Sequence, residues 1–77
     1  MKFYRLTGKT ETKSPTDPGV AAVVGAVIAD GLAHGEDSVS FSDVSKQLRH
    51  HDLSDTEIRR LLNLADKQGF IYEDDND

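Results

Sequence analysis

The chain reads as a mainly α domain with a small β-sheet, built on a three-helix core. Three observations predict this. Apolar residues recur at helical spacing in three separate segments, two of those segments open on a serine placed to cap them, and three short stretches rich in β-branched and aromatic residues lie around them. Helices are expected at about residues 18–34, 41–50 and 55–68, and short strands at about 2–7, 38–41 and 70–73.

Residues 1–17 read as an N-terminal arm or strand followed by a linker. Lys2, Phe3, Tyr4, Arg5 and Leu6 alternate charge and bulk, which fits a strand. The stretch that follows is polar, with Gly8, Ser14 and Pro15, and fits a loop. A short strand and a disordered arm are both open for this segment.

The first helix begins at Pro18, where a missing N–H costs nothing, with Asp17 placed to cap the free amides. Val20, Val23, Val24, Val27 and Ile28 form one apolar stripe, extended by Leu32. Ala22, Ala26, Ala29 and Ala33 lie together on another face, where a solvated helix carries Lys or Glu. That alanine face is read as a close-packing surface, for the N-terminal arm or for a second copy of the chain; tolerance of exposed alanine is the plain alternative. Gly35 ends the helix.

Ser40 and Asp43 form a capping-box-like pair for the second helix, with Val39 and Val44 as its hydrophobic staple; Val44 and Leu48 supply its buried side. His50, His51 and Asp52 break the pattern. The third helix carries the stronger signals: Ser54 and Glu57 as a capping box, Leu53 and Ile58 as a staple, and Ile58, Leu61, Leu62 and Ala65 as a buried stripe. Gly69 sits where a left-handed residue closes a helix, with Phe70 to cover the last turn. The remainder, residues 74–77, reads as an acidic tail beyond a domain of residues 18–73.

Length and charge set the bounds. Seventy-seven residues make one domain, and with no cysteine there is neither a disulfide framework nor a thiolate site. The longest apolar run, residues 20–29, is far below the ~20 residues that span a bilayer, and no signal-peptide pattern is present, so a cytoplasmic location without membrane contact is expected. The net charge is −5, with ten Asp to four Glu. A DNA-binding domain is usually basic, so the total opposes that function. Its distribution is less one-sided: residues 1–17 carry four bases and two acids, and residues 38–69 carry five of each.

Wound at 100° per residue, the third helix places Thr56, Arg60, Asn63 and Lys67 opposite its apolar stripe, with Arg59 beside them. Asp55, Glu57 and Asp66 fall on the flanks. The outward face therefore presents neutral hydrogen-bonding and basic groups, as major-groove reading requires: Arg for guanine, Asn for adenine, Lys for phosphate. Lys46, Arg49 and His50 just upstream are placed to hold the backbone. Lys2, Arg5 and Lys9 would add phosphate contacts from the N-terminal arm. A solvated helix with internal charge pairs is the competing account.

The order helix, strand, helix, turn, helix, strand over residues 17–73 resembles winged helix-turn-helix domains, a winged-helix-like three-helix core. The segment Leu61-Leu62-Asn63-Leu64-Ala65-Asp66-Lys67-Gln68-Gly69-Phe70-Ile71-Tyr72-Glu73 is similar to the close of the C-terminal winged helix of minichromosome-maintenance helicases, and of many archaeal and bacterial transcription regulators. The resemblance covers about three-quarters of the chain and its motif is generic. It implies DNA contact by Thr56, Arg59, Arg60, Asn63 and Lys67. The expected function is a regulator or accessory replication factor on double-stranded DNA, with dimerisation through the alanine face of the first helix, as a homodimer, setting two recognition helices on one duplex. The departure is the wing: Tyr72 leads into Glu73, Asp74 and Asp75 instead of a turn and a basic strand. Either the N-terminal strand completes the sheet there, or the fold has no true wing. The alternative function is a protein-interaction module of the same fold, working through the alanine face and acidic tail.

Enzyme chemistry finds little footing. His34, His50 and His51 lack a third ligand at usable spacing, no glycine-rich phosphate loop opens a helix, and the carboxylates cluster in an exposed run. No cofactor, metal or catalytic residue is predicted.

Overall fold

The computed structural model describes residues 2–35 and 38–75, with the backbone alone for His50 and Asp75. The elements run β1 (Lys2–Leu6), α1 (Pro18–His34), β2 (Ser38–Ser40), α2 (Phe41–Gln47), α3 (Asp55–Lys67) and β3 (Ile71–Asp75). This is a mainly α chain with one small antiparallel sheet, in a winged-helix-like layout.

Sheet order is β2-β1-β3, so the N-terminal strand is the central one. Tyr4 lies opposite Val39 on one side and Glu73 on the other; Leu6 faces Ile71 and Lys2 faces Asp75. Of the strand and the disordered arm, the strand is the one observed, over Lys2–Leu6, and it pairs with both β2 and β3. Tyr4 is buried in the core, and that burial, with Glu73 second, pushes its hydroxyl pKa up.

Helix ends follow the chemistry of their caps. The Asp17 carboxylate accepts from the amides of Gly19 (2.8 Å) and Val20 (3.2 Å), with Pro18 at the first helical position. Gly35 closes α1 at φ 63°. Ser54 Oγ accepts from the Glu57 amide at 3.2 Å, but the Glu57 side chain turns to Arg60 instead of reaching back, so only half of that capping box forms. At the other end Phe70 N–H donates to Ala65 and Gly69 N–H to Asp66, with Gly69 at φ 83°, the full left-handed close.

Several boundaries and faces differ from the sequence reading. The second helix stops at Gln47, and residues 49–51 form a 3₁₀ turn that ends on Asp52 in the left-handed region at φ 56°. A helix extended to residue 50 would carry the chain past the point where Leu53 packs on the core. Asp74 and Asp75 belong to β3, not to an acidic tail. Ala26 is buried in the core and Ala22 packs against it, so the alanine face does not exist as one surface; Ala29 and Ala33 remain exposed. Leu32, read as extending the apolar stripe, is 79% exposed, because the stripe turns away from the core as α1 runs beyond it.

The core joins both layers: Val20, Val23, Val24 and Val27 from α1, Val44 and Leu48 from the α2 region, Ile58, Leu61, Leu62 and Ala65 from α3, and Tyr4, Val39 and Ile71 from the sheet. Its consequence for function is orientation. One side of α3 is committed to this core, and the other is held facing outward.

Candidate nucleic-acid interface

Thr56, Arg59, Arg60, Asn63 and Lys67 are all exposed on α3, as its periodicity requires once Ile58, Leu61, Leu62 and Ala65 are buried. Over its thirteen residues the helix is about 20 Å long. The two arginines are not equally available. Arg60 Nη2 lies 3.0 Å from Glu57 Oε2, an exposed i, i+3 pair of small energetic weight. Arg59 stacks its guanidinium 4.4 Å from the centroid of Phe41, which fixes its plane against α2. Asn63 and Lys67 have no such partner among the described residues.

One contact joins the upstream segment to the start of α3. Ser45 Oγ meets Asp55 Oδ1 at 3.5 Å, so the last turn of α2 stands beside the first turn of α3. Lys46 follows Ser45 directly, and both Lys46 and Arg49 are exposed and free of ion pairs among the described residues. The His50 side chain lies outside the described residues.

The predicted basic arm is not an arm. Lys2 Nζ pairs with Glu73 Oε1 at 3.1 Å, and Arg5 Nε lies 3.3 Å from Asp74 Oδ2. The Arg5 contact is electrostatic only, because the N–H is not aligned on an acceptor. Both bases sit on the central strand and offset the acids of β3, so neither extends toward a ligand. Lys9 behaves differently. Its ammonium donates to the Gln68 carbonyl and lies 4.8 Å from the Phe70 centroid, which brings it to the C-terminal end of α3 beside Lys67.

Lys13, Ser14 and Thr16 join Lys9 and Lys67 around a cleft of about 410 Å3 there. Sequence reasoning missed these three residues, since nothing local says that the loop after β1 packs on the end of α3. A second depression, about 640 Å3, lies between α1 and the sheet; Leu6, Ile28, Leu32 and Tyr72 line it, with Arg5 at its rim. Its exposed apolar side chains, Leu32, Tyr72 (44%) and Leu6 (37%), were likewise unforeseen as a group.

Among the described residues no cluster of three metal-ligating side chains occurs, and no helix is long and apolar enough to cross a membrane. Comparison with protein-family models, with curated proteins and with solved structures finds no match, so the functional reading rests on the geometry of this chain alone.

Proposed function

We propose that the chain is a cytoplasmic DNA-binding protein of winged-helix type that lays α3 in the major groove, as a transcription regulator or accessory replication factor. One observation carries the reading: the outward face of α3 is lined by Thr56, Arg60, Asn63 and Lys67, and Lys46 and Arg49 are exposed just upstream in the chain. In a chain of net charge −5, such a band of hydrogen-bonding and cationic groups is what sequence-reading and phosphate contact need. Base contact belongs to Arg60 and Asn63, the second of which is unencumbered. Arg60 would exchange Glu57 for a guanine edge, at little cost because the pair is exposed.

The test is fluorescence anisotropy of a labelled duplex across a salt series, with wild type, Arg60→Ala and Asn63→Ala. Expected is an affinity whose logarithm falls with log salt at a slope of about −0.9 per phosphate contacted, lowered by both substitutions. No binding at micromolar protein in low salt overturns the reading.

A protein-docking role, with a partner protein or a second copy of the chain, is favoured by a separate observation. Ala21, Gly25, Ala29 and Leu32 make the outer face of α1 uncharged and exposed, and it runs into the apolar groove beside Tyr72 and Leu6. A helix apolar on all sides is ordinarily covered. Sedimentation equilibrium on wild type and Leu32→Glu checks the homodimer: self-association abolished by the substitution supports it, and a monomer at every concentration excludes it.

A further inference from the structure

We infer that the cleft between the loop after β1 and the C-terminal end of α3 is a binding site for a phosphate group. This deepens the DNA reading and rests on it only for the carrier of the phosphate, taken here as the duplex backbone just beyond the end of α3. The chain has nine Lys and Arg against fourteen Asp and Glu, yet the charged side chains lining this cleft are Lys9, Lys13 and Lys67, with no carboxylate among them. Lys9 is met by the Gln68 carbonyl and the Phe70 ring, but among the described residues no carboxylate stands against Lys13 or Lys67 as Glu73 and Asp74 do against Lys2 and Arg5, and an anion would fill that place.

The cleft is held from both sides. Thr7 ties the start of the loop to the helix end, its amide donating to the Phe70 carbonyl at 3.1 Å and its hydroxyl to the same carbonyl at 3.1 Å. Lys9 is anchored by the Gln68 carbonyl and the Phe70 ring. A 3₁₀ turn follows, and the Lys13 amide closes on the Lys9 carbonyl at 2.9 Å, which sets Lys13 one turn beyond Lys9. At the far end Asp17 fastens the loop to α1.

Between those anchors the ligand-binding groups are unspent. The ammonium groups of Lys13 and Lys67 and the hydroxyls of Ser14 and Thr16 make no hydrogen bond or ion pair among the described residues. Ammonium point charges with neutral hydroxyl donors suit the three outer oxygens of a phosphate group. A volume of about 410 Å3 leaves room for the sugar that carries it.

The division of labour selects the variants. Lys9 supports the close of α3, so its loss would confound folding with binding. The Lys13 and Lys67 side chains make no hydrogen bond or ion pair among the described residues, and Lys13→Ala and Lys67→Ala should fold as wild type. The experiment is an amide NMR titration of the full chain with sodium phosphate, against sodium chloride at matched ionic strength, followed by a short duplex. Expected are saturable, phosphate-specific shifts of residues 9–16 and of Gln68, weakened about three- to tenfold by either substitution. Duplex affinity should fall with them, and the salt slope should become shallower by about 0.9 for each phosphate that the variant no longer neutralises.

The outcomes separate the two claims. Phosphate shifts at the cleft without duplex binding keep the site, assign it to a small phosphorylated ligand and overturn the DNA reading. Duplex binding that depends on Arg60 but is indifferent to Lys13→Ala and Lys67→Ala overturns the site and keeps the DNA reading. Equal shifts with phosphate and chloride, or shifts elsewhere, overturn the site outright.

Discussion

A methyl group built on Gly19 would stand 2.5 Å from Leu61 Cδ2 and 3.2 Å from the capping carboxylate of Asp17, whereas one on Gly25 would meet nothing within 4 Å. Both residues are in α1, so both would gain helix propensity, about 1 kcal/mol, on becoming alanine. At Gly19 that gain is opposed by crowding against a buried leucine, which costs about 1–3 kcal/mol where a packed core must move. Gly19→Ala is therefore expected to destabilise by about 1 kcal/mol, and Gly25→Ala to stabilise by about 0.5–1 kcal/mol. Urea unfolding midpoints of the two variants check the opposite signs. Two residues of one type on one helix thus have different reasons to be glycine, and periodicity alone does not tell them apart.

At the scale of elements, the last turn of α1 carries a titratable latch. His34 Nδ1 lies 3.1 Å from the Asp30 carbonyl oxygen and 3.4 Å from its carboxylate, which is itself buried and touched by Gln47 Nε2 at 3.5 Å. The Asp30 backbone carbonyl and then the Asp30 charge, with a smaller contribution from Asp43 on α2, raise the His34 pKa above 6.5. A folded-state pKa above the unfolded one means that the protonated latch stabilises fully below pH 6.5, and that this contribution fades as pH rises through the raised value. Wild type is expected to lose stability over that window and His34→Gln to lose less, read by denaturant titration at a series of pH values. His34 was visible in the sequence only as a failed metal ligand. The helices themselves were legible, because Asp17, Ser40, Ser54, Gly35 and Gly69 act on their own neighbours. The end of α2 was not, since Leu48 and Leu53 stop it through tertiary packing. Nor was the burial of Ala26, which depends on how far the core wraps around α1. On α3 the exposed face followed from its period, but Arg59 stacking on Phe41 joins two helices and leaves no trace in spacing.

On the scale of the whole molecule, the sheet is assembled from opposite ends of the sequence. β1 pairs with β3 through five residue partners, Lys2 to Asp75 at one end and Leu6 to Ile71 at the other, and with β2 through three. The central strand thereby holds its neighbours to the helical layer through Tyr4, which is buried between Val39 and Glu73. Truncation of a buried aromatic costs about 3–5 kcal/mol, against a total stability of roughly 4–12 kcal/mol for a domain of this size. Tyr4→Ala is therefore expected to remove a large share of the stability, by about 3–5 kcal/mol, and to lower the melting temperature sharply, while Lys2→Ala, which removes an exposed pair, costs less than about 1 kcal/mol. Circular dichroism melts of the two variants check the contrast. Sequence reasoning held open that residues 2–7 complete the sheet beside residues 70–73, and β1 does pair with β3; what it lacked was the pairing with β2 on the other edge, which makes β1 the central strand. That central place also bears on the order of events during synthesis. A ribosome delivers β1 before β2 and β2 before β3, so the central strand waits for its second neighbour until residues 71–75 have been made. No early fragment of the chain owns a finished sheet, and native structure should arise in one late step, after residues 71–75 have cleared the exit tunnel.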